Sequence, residues 1–138
     1  MTLAEQISTW SKDPSKKVGC VIVKDKRIIG TGYNGLPELL KDSSRILADK
    51  PSKRFRTVHA EMNAQHFCTK SSKNSHIFVT HHPCATCMAN LLVKKPLSIT
   101  IWIEPTSKLS KDWARSLLEA KEMAIEANVP VFRLAKLV

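Results

Sequence analysis

Acidic and aromatic residues are the scarce ones in this chain. Tyr, Trp and Phe together make up 6% of its 138 residues, which argues against a platform for stacking splayed nucleic-acid bases. Asp and Glu number 12 against 22 Lys and Arg, a formal charge of +10. That imbalance favours anionic partners as a class without choosing among nucleotides, nucleic acid and other phosphates, and a solvated basic surface accounts for most of the lysines. No run approaches the roughly 18 apolar residues of a membrane span, and Met1-Thr2-Leu3-Ala4-Glu5 lacks a signal-peptide layout. The expectation is a cytoplasmic protein with no membrane partner. Four cysteines without an export signal argue against a disulfide framework. There is no internal repeat and no low-complexity tract. What is left, 43% hydrophobic and 25% charged, is the composition of one globular domain over residues 1–138 with a core of its own.

Two of the four cysteines lie in Val79-Thr80-His81-His82-Pro83-Cys84-Ala85-Thr86-Cys87-Met88. Ile77-Phe78-Val79 reads as a short buried strand, and Pro83 suits the first position of a helix, where its missing N–H costs nothing. Cys84 and Cys87 then fall in the first helical turn, three apart and on one side. Unpaired amides and the positive end of the helix dipole favour thiolate there. Such a pair can ligate a soft metal or do redox chemistry.

Upstream lies His59-Ala60-Glu61. A trio of His59, Cys84 and Cys87 would leave one position of a tetrahedral zinc open for water, as a catalytic site requires. Glu61 could then move protons between water and substrate. Two blander readings stand beside this one. Cys-x-x-Cys after a strand also fits a thioredoxin-like redox pair. A structural zinc would want a fourth ligand, for which His66, Cys68, His81 and His82 are candidates, but it leaves Glu61 without a role.

The rest of the chain reads as alternating elements. Thr2-Leu3-Ala4-Glu5 is a capping box opening a first helix with Leu3, Ile7 and Trp10 on one face, ended by Ser11-Lys12-Asp13-Pro14-Ser15. Residues 17–23 and 27–32 form a hairpin about Lys24-Asp25-Lys26, running into Gly30-Thr31-Gly32-Tyr33-Asn34-Gly35. The three glycines there suggest backbone shapes closed to other residues. Residues 36–58, with Pro37, Pro51 and a basic cluster of Lys50, Lys53, Arg54 and Arg56, read as a long ordered loop with a short helix near 45–48; loops of that length are usually functional. Helix positions two apart point roughly 200° from each other, so His59 and Glu61 share a pocket only at a helix mouth. A helix is therefore expected from His59 to about residue 69. After the cysteine helix come a strand at 98–103, a helix at 110–127 with Trp113, Leu117, Ala120 and Ala124 on one face, and a strand at 131–134 paired in parallel. Cys20 and Cys68 read as packing thiols. The sum is an α/β fold with a mixed sheet between helices.

His-x-Glu followed by Pro-Cys-x-x-Cys is the known signature of zinc deaminases. With Ser11-Lys12-Asp13-Pro14-Ser15, the strand 17–23, Gly32-Tyr33-Asn34-Gly35 and His59-Ala60-Glu61-Met62-Asn63-Ala64, the chain resembles, over nearly its whole length, the deoxycytidylate (dCMP) deaminases of the cytidine deaminase superfamily. The resemblance implies a three-layer α/β/α fold with a five-stranded mixed sheet. It implies hydrolysis of dCMP, with dCTP or a modified cytosine as further substrates left open, to dUMP for thymidylate synthesis. It assigns one catalytic Zn²⁺ per chain to His59, Cys84 and Cys87, the proton shuttle to Glu61, a deoxyribose contact to Asn34 and a base contact to the backbone of Ala60. It further implies a homo-oligomer, commonly a hexamer, activated by dCTP and inhibited by dTTP near Gly32, Tyr33, Asn34 and Gly35, with Mg²⁺ accompanying the triphosphates.

The chain also departs from the family. Lys94-Lys95-Pro96-Leu97 stands where members often carry Gly-Ile, His82 stands where Ser is familiar before Pro-Cys, and residues 36–58 lack the extra Cys and His of members with a second zinc. Two other readings remain: a deaminase acting on a base within tRNA or single-stranded DNA, which would use the +10 charge, and a non-catalytic zinc module. Candidates for a substrate phosphate are Lys12, Lys16, Lys53, Arg54 and Arg56.

Overall fold

Side chains alternate along the strand Gly19–Lys24 (β1), and that alternation sorts the molecule into layers. Cys20 and Ile22 enter a core shared with three helices, whereas Val21 and Val23 pack with Ala4 and Ile7 of the first helix. The structure, a computed structural model, describes residues 1–102 and 109–136. Its elements in chain order are α1 (Thr2–Ser8), β1, β2 (Arg27–Tyr33), α2 (Ser44–Ala48), α3 (Lys50–Arg56), α4 (Ala60–His66), β3 (His76–Val79), α5 (Ala85–Val93), β4 (Ser98–Trp102), α6 (Lys111–Glu126) and β5 (Val131–Leu134). The five strands form one sheet in the order β2-β1-β3-β4-β5. β1 is antiparallel to β2 and β3, while β3, β4 and β5 run parallel. Residues of α4, α5 and α6 join one face of the sheet through Ala60, Ala64, Met88, Leu91, Ala120 and Ala124; α1 covers part of the other. This is the α/β arrangement that the sequence implied. Among the described residues no helix is long and apolar enough to cross a membrane.

The hairpin is tighter than expected. Lys24 still belongs to β1, and Asp25 and Lys26 alone turn the chain with φ of 50° and 62°, the two-residue geometry that matches strand twist. Ile29 is the extra residue at a bulge, since Ile22 faces Gly30 and Val23 faces Ile28. The α1 boundary also corrects the capping box. Met1 holds the cap position and Thr2 is already helical. Ala4 and Ile7 are the buried residues of α1, whereas Leu3 and Trp10 are exposed. Residues 36–58 hold two helices instead of one. None of the residues of α3 is buried, so it has no apolar period to read in the sequence. The helix from His59 stops three residues early, at His66, and the strand from Ser98 is described to Trp102, Ile103 lying outside the described residues.

The glycines of β2 have a reason that their spacing did not reveal. No glycine has positive φ, so they do not provide unusual backbone shapes. A Cβ on Gly32 would lie 2.3 Å from the Ala64 nitrogen and 2.5 Å from the Ala60 oxygen, and one on Gly30 2.6 Å from the Ala64 oxygen. Both let the α4 backbone lie directly on the strand. Gly32→Ala is expected to push α4 off β2 and to lower stability by about 1–3 kcal/mol, as overpacking does. Thermal denaturation of the variant checks this, and an unchanged midpoint would show that the contact can relax.

Candidate metal centre

His59 and Cys84 are the residues just before α4 and α5. Both are helix caps with extended backbone, His59 at φ −70°, ψ 154° and Cys84 at φ −69°, ψ 170°. The cysteine helix therefore begins after Cys84, two residues later than Pro83 suggested, and Cys87 is its third residue. The cap position of His59 frees its ring from the helical 100° step, so that it can share a pocket with Glu61. Several local bonds hold this arrangement. The His59 carbonyl accepts from the Asn63 amide at 3.0 Å and the Cys84 carbonyl from the Met88 amide at 2.8 Å. The Ala85 amide, orphaned at the start of α5, donates to Ser116 Oγ of α6 at 2.9 Å.

These placements converge. His59 Nδ1 lies 3.6 Å from Cys84 Sγ and 3.3 Å from Cys87 Sγ, and the three donor atoms all fall within 4.8 Å of one another. The imidazole between the two sulfurs makes a third donor, which a metal site uses and a simple redox pair does not need. The residues proposed as a fourth structural ligand are occupied otherwise or face solvent. Cys68 Sγ donates to the Ala64 carbonyl at 3.2 Å, His81 Nδ1 pairs with Thr80 Oγ1 at 2.9 Å, His82 Nδ1 lies 2.8 Å from the Pro83 oxygen, and His66 is exposed. Two soft thiolates and one imidazole, in a three-donor set, suit zinc with an open position.

The close packing of these groups splits the two thiols, favouring charge on one and a proton on the other. The hydrogen bond from Cys87, supported by His59 and opposed by burial, pulls the Cys84 thiol down to about 4. Cys87, which keeps the shared proton, is pushed up by the same bond and by burial. His59 is raised, first by its bond to Cys84. Glu61 is 4% exposed, and burial above all lifts its carboxyl above the usual carboxylate range.

A family model for the cytidine and deoxycytidylate deaminase zinc-binding region matches residues 1–99. The chain belongs to this family. The match includes His59, Glu61, Cys84 and Cys87, so the family's zinc-binding region is the one whose donors converge here. Among relatives of this deaminase-family chain, an uncharacterized deaminase encoded in the luxG 3′ region of Aliivibrio fischeri is 35% identical over 129 residues, covering 94% of this chain and 86% of that protein. A probable deoxycytidylate deaminase of Caenorhabditis elegans is 33% identical over 141 residues, covering 94% of this chain and 68% of that one. The fold is also that of the dCMP deaminase of cyanophage S-TIM5 solved with dCMP and dUMP, with TM-score 0.80, 24% identity, and 96% and 92% of the two chains covered.

Asn34 is buried and busy. Its Oδ1 accepts from the Val18 amide and its Nδ2 donates to the Lys16 carbonyl, both at 2.8 Å. One amide hydrogen and one lone pair of its side chain are left for a ligand. Its neighbours are stitched to the start of α4, because Gly35 bridges Val58 and Asn63 Nδ2 donates to the Tyr33 carbonyl at 2.8 Å. Two of the phosphate candidates already have acidic partners, Lys12 with Asp42 at 2.8 Å and Lys53 with Asp13 at 2.9 Å. Sequence reasoning missed Ser11, Asp13, Thr80 and Ser116 as organisers of the region. Ser11-Lys12-Asp13-Pro14-Ser15 carried a turn signal, but its partners lie far along the chain.

Proposed function

We propose that the chain is a zinc-dependent hydrolase that converts dCMP to dUMP and ammonia in the cytoplasm, supplying dUMP for thymidylate synthesis, and that residues 1–138 act as one catalytic domain. The observation that carries this reading is the buried Glu61 beside the His59, Cys84 and Cys87 trio, in a chain one third identical to a probable deoxycytidylate deaminase. Bound by the trio, one zinc per chain supplies the Lewis acidity that makes water nucleophilic near neutral pH. Glu61 carries the protons. It takes one from the attacking water, gives it to the ring nitrogen next to the reacting carbon, and passes the next to the amine that leaves as ammonia. Its burial favours the protonated form needed for the second half of that task.

Substrate contacts follow the same reading. Ala60 opens α4, and a helix leaves its first four amides without intrahelical partners, so the Ala60 amide is the part of its backbone suited to hold the base. Asn34 retains donor and acceptor capacity for the sugar. With Lys53 engaged by Asp13, the exposed Arg54 and Arg56 become the leading candidates for the phosphate. dCMP should be preferred to deoxycytidine in kcat/KM by about ten- to a hundredfold, the worth of one hydrogen bond to a charged group. Similar values for the two would remove the phosphate from the account.

The proposal extends to a homo-oligomer, a hexamer, with dTTP lowering and dCTP raising activity at the segment Gly32 to Gly35, Mg²⁺ accompanying either triphosphate. Its support is the resemblance of that segment and its attachment to both sides of the start of α4. An effector gripping it could bias the site through different affinities for two arrangements. One specific observation favours a second reading: Phe55 of α3 is 90% exposed between Arg54 and Arg56, a pairing of aromatic and cationic groups that suits single-stranded nucleic acid. Ammonia release from deoxycytidine, dCMP, CMP, dCTP, tRNA and single-stranded DNA, with and without dTTP, tests all of this. Turnover of dCMP suppressed by dTTP supports the first reading, and turnover confined to the polymers supports the second.

A further inference from the structure

The loop of residues 9–18, between α1 and β1, is held by an ion pair that the chemistry above does not use. Lys53 Nζ of α3 donates to Asp13 Oδ1 at 2.9 Å and to Ser15 Oγ at 3.2 Å. The same Asp13 oxygen accepts from the Ser15 amide at 2.7 Å and the Lys16 amide at 3.1 Å. The next bonds lead to Asn34. The Lys16 carbonyl accepts from its Nδ2, its Oδ1 accepts from the Val18 amide, and Ser11 Oγ donates to its carbonyl at 2.7 Å while accepting from the Asp13 amide. Asn34 sits between Tyr33 and Gly35, which are bonded to Asn63 and Val58 on either side of His59. Hydrogen bonds joined by short stretches of backbone thus link α3, through Asp13 and Asn34, to Val58 and Asn63 on either side of His59.

Burial decides which tie matters. The Lys53 and Asp13 side chains are 11% and 10% exposed, whereas Lys12 and Asp42, a pair that also reaches the 9–18 loop, are 70% and 31% exposed. An exposed pair contributes little, but one largely withdrawn from solvent loses a partner at the cost of a poorly compensated charge. Burial tends to raise the Asp13 carboxyl, and the bonds from Lys53 and from the Lys16 and Ser15 amides outweigh it and hold it below the usual range.

We propose that Lys53, acting through Asp13, is a positioning residue that fixes residues 11–18 against Asn34 and so sets the shape of the substrate-binding wall beside the metal site. This rests on the deaminase reading above. It differs from a direct phosphate contact, because a brace acts on the nucleoside part of the ligand and needs Asp13 as much as Lys53.

The test uses the zinc-loaded full chain and its Lys53→Met, Asp13→Asn, Lys53→Arg and double Lys53→Met, Asp13→Asn variants. Lys53→Met and Asp13→Asn should each raise KM for dCMP and for deoxycytidine alike, by about ten- to a hundredfold, the scale of a displaced binding group, with kcat little changed. The double variant should be no worse than either single one, as expected for two residues acting as one unit, and Lys53→Arg should recover most of the loss. Amide exchange at Ser15 and Lys16 should rise in both single variants. A loss confined to dCMP would make Lys53 a phosphate ligand and overturn the brace, as would additive losses or an unchanged KM. Unchanged amide exchange overturns it without reference to any substrate. That measurement therefore stands even if the wild-type chain fails to turn over dCMP, which would count against the deaminase reading alone.

Discussion

Glu61→Gln leaves the zinc in place and removes turnover, with the rate of dCMP deamination falling by roughly a hundred- to ten-thousandfold, the usual contribution of a positioned acid–base group. The amide matches the carboxylate in shape, so the pocket at the second position of α4 stays filled. Zinc is expected to stay because the donor atoms that converge are those of His59, Cys84 and Cys87, and a metal held by them needs nothing from Glu61. What is lost is the ability to accept and return a proton. No other carboxylate stands in for it among the four residues His59, Glu61, Cys84 and Cys87 that form the centre. Metal content and single-turnover rates of the purified variant check both halves, and near-wild-type turnover would assign the shuttle elsewhere.

Cys87→Ala has an effect of similar size by a different route. Cys87 is 2% exposed and its sulfur lies 3.3 Å from His59 Nδ1. Removing it leaves two donors where zinc needs three from the protein. Metal content should fall from one zinc per chain to near zero at dilution, and deamination to background. Thermal stability should fall as well, since a metal that binds only the folded chain stabilises it in proportion to its occupancy. Metal analysis alongside denaturation checks this. A variant that keeps one zinc and full activity would exclude Cys87 as a ligand.

The convergence of His59, Cys84 and Cys87 was legible in the sequence because it follows from local patterns. A Cys-x-x-Cys at a helix start and a His-x-Glu at another are short patterns, and the requirement that His59 and Glu61 share a pocket placed the start of α4 within one residue. The tertiary reasons for other residues were not legible. Gly30 and Gly32 look like turn glycines until α4 is seen lying on them. Asp13 and Lys53 are 40 positions apart, and nothing in a run of basic residues says which one is paired. α3 shows no apolar period because it buries no residue. Thr2 and Glu5 have the spacing of a capping box, yet the Glu5 amide bonds to the Met1 carbonyl at 3.0 Å and Thr2 lies inside the helix. Spacing reports what a segment can do alone, and these residues take their roles from segments far away in the chain.

Hydrolysis of dCMP by this chain should depend on zinc. The most direct measurement follows dUMP and ammonia formed from dCMP by protein of known zinc content, before chelation, after chelation, and after zinc is restored. Equal amounts of dUMP and ammonia are expected from protein holding one zinc per chain, none after the metal is stripped, and recovery when it is returned. A protein holding one zinc that releases no dUMP, or one whose turnover survives complete removal of the metal, would contradict it.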